Sequence, residues 1–245
     1  MLARTPPSGI REDSVSATIC QTTVETFKEA AVLEGITWYR QSAFRFTDDE
    51  RTIYIDPWGT DDSAPPADLI LITHAHDDHL QPDEITRLSA SGTRIVAPHD
   101  VAAGLSGDVT PVAPGESLEI AGVRFTTVHA YNTAEERLEM HPRANGWVGY
   151  VLDLPDGAYY HAGDTDHVSE LDDVKADVAF LPIGGTYTMD AAQAAGLARS
   201  MAPGMAVPMH YGFVVGSPAD AERFRELAAP VSVQILTPKN PFERE

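Results

Sequence analysis

The chain has 245 residues, 17 Lys and Arg against 37 Asp and Glu, a net charge of −20 and a single cysteine. A field of that sign repels nucleic-acid phosphates and anionic membranes, and lone Cys20 excludes an intrachain disulfide. No apolar run approaches the ~20 residues that span a bilayer, and the N-terminus lacks the basic-then-apolar layout of a signal peptide, so a cytoplasmic protein is expected.

Residues 1–34 read as an extension: Pro6-Pro7-Ser8-Gly9 and Arg11-Glu12-Asp13-Ser14 are loop-like, and Val24 to Leu33 carries one short helical pattern. The main domain is expected over residues 35–245. Its first strands are Thr37-Trp38-Tyr39, Ala43 to Thr47 and Arg51 to Ile55, with Asp48-Asp49-Glu50 as a turn. Leu69 to Ile72 is a buried strand, Glu84 to Ala90 a helix and Arg94 to Ala97 a strand, and Asp100 is expected to cap a helix running to Leu105. Two hairpins follow, Glu116–Ile120 with Val123–Val128 around Ala121-Gly122, and Gly146–Leu152 with Ala158–His161 around Pro155-Asp156-Gly157. Val178 to Leu181 and Met205 to Met209 are strands. Asp190 caps a helix to Met201, Ala219 to Leu227 is a helix, and Val231 to Leu236 closes the chain as a strand.

The most informative stretch is Thr73-His74-Ala75-His76-Asp77-Asp78-His79-Leu80, directly after the apolar strand. His74 and His76 are two apart, so an extended backbone projects them to one side. Asp78 and His79 come where the chain turns toward the helix. The spacing suits two divalent cations better than one, His74 and His76 serving one, Asp78 and His79 its neighbour. Further strands end in ligand types: Asp56 follows Ile55, His129 follows Val128, His161-Ala162-Gly163-Asp164 follows Tyr160, and His210 follows Met209. Loops at one edge of a sheet are where a rigid scaffold collects functional groups.

With these segments in this order, the chain resembles the metallo-β-lactamase-fold hydrolases, in the branch of the UlaG-like lactonases and UPF0173-type metal-dependent hydrolases. The motifs that carry the likeness are His74 to His79, His161-Ala162-Gly163-Asp164-Thr165, Leu181 to Met189 and Pro208-Met209-His210-Tyr211, with Ile53 to Trp58 resembling the family's early strand and turn. The resemblance covers Ile36 to His210. It implies an α/β fold, a four-layer αβ/βα sandwich with the site at one sheet edge. It implies His74 and His76 at a first metal, Asp78, His79 and His210 at a second, and Asp164 bridging both. For the third histidine of the first metal it leaves His129 and His141 open, with His141, in Met140-His141-Pro142, slightly ahead. Asp56 would fix the tautomer of a liganding imidazole, and Tyr187 and Tyr211 would reach substrate or simply pack. Relatives carry a Gly-His pair where this chain has Arg40-Gln41.

An all-imidazole and carboxylate set suits two ions of Zn first, Mn or Fe second. The resemblance implies a metal-bridging hydroxide as nucleophile, oriented by Asp78 and Asp164 as the catalytic carboxylates. The expected function is hydrolysis of a small-molecule ester, lactone or phosphodiester. The alternatives are a non-catalytic metal-binding module and a nuclease of the same superfamily, the latter disfavoured by the charge. Only Lys28, Lys175 and Lys239 are lysines. An acidic, lysine-poor surface fits a salt-rich cytoplasm, where screening shortens to roughly 3 Å at 1 M, so a halophilic source is one expectation and an ordinary acidic protein the other.

Overall fold

The structure, a computed structural model, describes residues 33–48 and 50–240. The expected N-terminal extension lies outside them but for its last two residues, and its helix but for Leu33. Six strands form the first sheet: β1 (Ile36–Arg40), β2 (Ala43–Thr47), β3 (Thr52–Ile55), β4 (Ala67–Leu71), β5 (Ser89–Pro98) and β6 (Asp108–Val112), in that spatial order. Seven form the second: β7 (Ser117–Ile120), β8 (Val123–His129), β9 (Val148–Leu154), β10 (Gly157–His161), β11 (Val178–Pro182), β12 (Met205–Met209) and β13 (Ser232–Val233), again side by side in sequence order. Each sheet starts antiparallel and becomes parallel, at β3 in the first and β10 in the second.

Side-chain alternation sorts the strands into layers. On β2, Phe44 and Phe46 point to the second sheet, where Phe180 of β11 meets them at ring-centroid distances of 4.7 and 5.6 Å and Tyr159 of β10 meets Phe46 at 5.8 Å. The opposite face of the first sheet presents Tyr54, Ile70, Ile72, Ile95 and Ala97, which pack on Ile85 and Leu88 of α1 (Pro82–Leu88) and Val101 of α2 (His99–Ala102). Strands buried on both faces read as nearly continuous apolar runs, which is why Ala67 to Leu71 stands out in the sequence. On the far side of the second sheet lies α3 (Ala191–Met201), burying Ala194, Ala195, Leu197 and Ala198, with α4 (Pro218–Ala228) against it. The four-layer sandwich is therefore helix, sheet, sheet, helix.

Local chemistry explains most boundaries. Asp190 caps α3 as expected, its Oδ1 accepting from the Ala192 and Gln193 amides at 2.9 and 2.8 Å. Ala121 and Gly122 both take left-handed backbone, φ 51° and 72°, the requirement of a tight two-residue hairpin. Four expectations need correction. The helix at 84–90 ends at Leu88, because Ser89 already pairs with Ala67 of β4. Asp100 is no cap: it lies inside the first turn of α2, which stops at Ala102, and its Oδ2 accepts from Trp147 Nε1 at 2.8 Å. The last strand shrinks to two residues. The fourth concerns β6, which has no counterpart among the expected strands: it carries Pro111 and sits at the sheet edge, where a missing N–H costs no ladder bond.

Candidate metal centre

The parallel strands of both sheets deliver their ends to one edge. Asp56 follows β3, Thr73 to His79 follow β4, Asp164 follows β10, Gly184 follows β11 and His210 follows β12. There the side chains form three ligand-competent groups: His74, His76 and His141; Asp78, His79 and His210; and His74, His79 and Asp164. Asp164 stands between the first two. Its carboxylate lies 3.4 Å from His141 Nε2, 3.1 Å from His210 Nε2, 3.4 Å from His79 Nε2 and 4.0 Å from His74 Nε2. His74 Nε2 is 3.1 Å from His76 Nδ1, and Asp78 Oδ2 is 3.3 Å from His210 Nε2.

Those spacings match cation ligation. Two nitrogens each roughly 2.0–2.1 Å from a tetrahedral metal stand about 3.3 Å apart. The Nε2 atoms of His79 and His141 and Oδ1 of Asp164 are buried with no hydrogen-bond partner, an arrangement that is costly unless a ligand satisfies it. The donor set is imidazole and carboxylate, as divalent Zn, Mn or Fe requires.

Neighbouring groups fix which nitrogen each histidine presents. Asp56 Oδ1 accepts from the Thr73 amide at 2.8 Å, and Oδ2 accepts from Thr73 Oγ1 at 2.6 Å and from His79 Nδ1 at 2.7 Å. The Thr73 hydroxyl has one proton and spends it there, so its oxygen accepts from His74 Nδ1 at 2.9 Å. His141 Nδ1 donates to Asn132 Oδ1 at 2.7 Å, and that amide is oriented by donating to Asp166 Oδ1 and to the Tyr187 carbonyl. Three imidazoles thus carry their proton on Nδ1 and turn Nε2 to the centre. Trp147 packs on the rings of His74, His76 and His141 at 5.0, 5.1 and 5.7 Å.

Burial and charge pull these groups in opposite directions. Desolvation lowers the His74 pKa well below normal, with His79 adding repulsion, and lowers His76 likewise. His79 is pulled down by burial but is held well above its ordinary value by Asp164, Asp78 and Asp56. His210 has the same conflict and is raised to about 9, chiefly by Asp164. Burial opposes ionisation of Asp164 and Asp78, yet the surrounding imidazoles hold both carboxyls below their usual range.

The backbone is strained where it serves the centre. Of the five described non-glycine residues with left-handed φ, three serve the centre, Gln41, Asp56 and His210 at 45°, 46° and 56°, each a conformation of order 1–2 kcal/mol above the right-handed one. Gln41 Nε2 donates to Asp78 Oδ2 at 3.3 Å and lies 3.3 Å from His210 Nε2. The backbone of Gly184 runs against His210: a Cβ there would fall 2.5 Å from the His210 carbonyl oxygen.

The structure brings His74, His76, Asp78, His79, His141, Asp164 and His210 together. It does not bring His129 to them. That ring is half-buried at the end of β8, edge-on to Tyr131 at 5.9 Å. Tyr187 lines the pocket beside the centre, whereas Tyr211 is buried against Trp38 at 5.4 Å. His161 packs on Phe44 and donates from Nε2 to the Ser42 carbonyl. His167 is half-buried and 2.7 Å from Asp172. Asp166 is buried and accepts from the Thr133 and Ala134 amides and from Arg137, clamping the loop that carries Asn132 and His141. The roles of Asn132, Thr73 and Trp147 escaped the sequence reading because each depends on a residue distant in the chain, Asp166, Asp56 and Asp100 respectively.

Comparison with known proteins identifies the family. A family profile described as "Beta-lactamase superfamily domain" matches residues 35–210. The chain belongs to that superfamily. A UPF0173 metal-dependent hydrolase of Methanopyrus kandleri is 33% identical over 85% of this chain and 99% of its own length, and one of Thermoplasma acidophilum is 30% identical over 83% and 95%. A crystal structure from Parabacteroides distasonis superposes with a TM-score of 0.75 at 33% identity, covering 83% of this chain and 93% of that one. Igni18, a metallo hydrolase of Ignicoccus hospitalis, gives 0.66 at 26% identity over 83% and 94%. The protein is a metal-dependent hydrolase of the metallo-β-lactamase superfamily. Among its described residues no helix is long and apolar enough to cross a membrane.

Proposed function

We propose that the protein is a binuclear hydrolase acting on an ester, lactone or phosphodiester bond of a small molecule. The observation that carries this reading is the meeting of two three-residue groups, His74/His76/His141 and Asp78/His79/His210, on either side of Asp164. His74, His76 and His141 would hold one divalent cation, Asp78, His79 and His210 the other, and Asp164 would touch both. Zn is the first choice for both, with Mn and Fe the alternatives. When bound, such a pair supplies an activated water and polarises the scissile carbonyl or phosphoryl oxygen.

The chain's own residues do the rest. Asp78, fixed by the Gln41 amide at 3.3 Å, is placed to accept a proton from the attacking water. Asp56, Thr73 and Asn132 keep three histidine protons on Nδ1, away from the reacting atoms. A pocket of about 400 Å³, within the range of small-molecule sites, opens on Asp78, Asp164 and His210 and leaves room for a substrate. The −20 charge supports a small-molecule partner over a nucleic acid. The test is turnover of a lactone panel and of bis(p-nitrophenyl) phosphate by metal-loaded protein, with metal content measured alongside. Asp78→Ala should abolish turnover with the fold intact; an unchanged rate would refute the assigned role.

A further inference from the structure

The walls of the pocket carry a second message. Five large hydrophobic side chains are exposed among the described residues, and three of them, Met140, Tyr187 and Val214, at 40%, 37% and 52%, gather at this one mouth. They come from three separate segments, the loop before His141, the loop after β11 and the loop after β12. Trp58, from the turn after β3, completes the wall. Exposed apolar side chains scattered singly need no explanation, but a group that converges beside a reactive centre marks a binding surface.

The charges of the lining are as one-sided as its hydrophobicity. Among the described residues no lysine or arginine lines the pocket; Arg40 lies over the Trp58 ring at 5.4 Å but is not part of the lining. Asp77 stands exposed at the rim, next to Gln81, and the other carboxylates, Asp78 and Asp164, belong to the centre. Enzymes that hold a remote carboxylate or phosphate on their substrate provide cations for it. Here a second anionic group would leave water for an apolar wall and face Asp77.

From the apolar mouth and its lack of cations we infer that the substrate is an uncharged ester or lactone whose non-reacting part is an aliphatic or aromatic chain, seated between Trp58, Met140, Tyr187 and Val214. This rests on the hydrolase reading above and narrows it: phosphodiesters and acyl groups with an anionic tail are excluded as preferred substrates. The reaction is simple hydrolysis. Water adds to the carbonyl carbon, the C–O bond to the alcohol breaks, the alcohol oxygen takes up one of the water's two protons, and the other passes to solvent as the acid product leaves as carboxylate.

The probe is a series of straight-chain alkyl hydroxamates, acetyl to octanoyl, titrated calorimetrically into metal-loaded protein, because a hydroxamate binds a metal centre whether or not the protein turns over. Affinity is expected to rise roughly two- to fourfold per methylene until the pocket is filled, as burial of CH₂ groups predicts. Succinyl hydroxamate, with its carboxylate tail, should bind more weakly than the butanoyl compound. Val214→Asp should flatten the chain-length dependence, and Leu138→Asp, exposed but not in the pocket lining, should leave the whole series unchanged. Rates on p-nitrophenyl acetate to octanoate should follow the same order and exceed that on bis(p-nitrophenyl) phosphate. A flat series, a preference for the anionic tail, or equal effects of the two variants would overturn the inference yet leave a working metal hydrolase. Failure of the protein to take up metal or to bind any hydroxamate would instead overturn the functional reading on which it rests.

Discussion

Asp56→Asn isolates the electrostatics of the centre from its shape. Asparagine keeps the volume and tolerates the left-handed backbone at φ 46°. Its amide oxygen in the Oδ1 position would still accept from the Thr73 amide, now at 2.8 Å. The NH₂ group then replaces the oxygen that accepts from His79 Nδ1 at 2.7 Å and from Thr73 Oγ1 at 2.6 Å. The opposite amide rotamer sets NH₂ against the Thr73 N–H, donor against donor. His79 must therefore accept at Nδ1 and carry its proton on Nε2, facing Asp78 and Asp164. The Thr73 hydroxyl, no longer committed to a carboxylate, donates to His74 Nδ1 and moves that proton to Nε2 as well. One substitution so mis-sets an imidazole in each ligand group. A hydrogen bond to a charged acceptor is worth about 1.5–3 kcal/mol, and loss of such a partner costs metal affinity about 10–100-fold, which corresponds to about 1.4–2.7 kcal/mol; the two figures agree. A cost of that size is smaller than the stability of a typical domain, so the protein should stay folded. Competition with a chelator, read by metal analysis after dialysis, measures the affinity, and circular dichroism checks the fold. Undiminished metal affinity of a folded Asp56→Asn protein would refute the tautomer argument.

His141→Ala should lose metal from the first group while His129→Ala retains full metal content, a contrast that dialysis and elemental analysis read directly. Gly184→Ala drives a Cβ to 2.5 Å from the His210 carbonyl oxygen and from Val215 Cγ2; at the roughly 1–3 kcal/mol typical of overpacking the domain survives, but His210 shifts and metal should dissociate more readily in a chelator titration. The carboxylates raise the pKa of His79 and lift that of His210 to about 9, so in the metal-free protein His210 is protonated at neutral pH and His79 is shifted in the same direction. Metal binding must then release protons and tighten as pH rises toward 9, measurable by calorimetry in buffers of different ionisation enthalpy. By linkage, a pKa raised on folding stabilises fully below the unfolded value near 6.5 and loses that stabilisation as pH climbs to about 9; melting of metal-free protein should show a falling Tm over that window. If the −20 charge reflects a salt-rich cytoplasm, Tm should rise markedly between low and molar KCl, and a salt-independent Tm would dismiss the halophilic reading.

The sequence by itself carried the elements whose information is local. Period-two alternation located β2, apolar continuity located β4, Asp190 with Gln193 capped α3, and His74 to His79 announced a metal site because a strand and a turn are enough to converge those side chains. Asp164 and His210 were legible for the same reason, as ligand types at strand ends. What remained hidden depended on neighbours distant in the chain. Pro111 was compatible with a strand only because β6 is an edge. The choice between His129 and His141 turned on a loop that folds back, held by the Asn132 amide on the His141 carbonyl at 2.9 Å and by Asp166 on Thr133, Ala134 and Arg137. Strand-end position favours His129, and no local property of residues 130–140 predicts that return. The identity of the chemical groups was therefore written in the residues, while their selection, tautomers and strain were decided by which strand ends the two packed sheets bring to one edge.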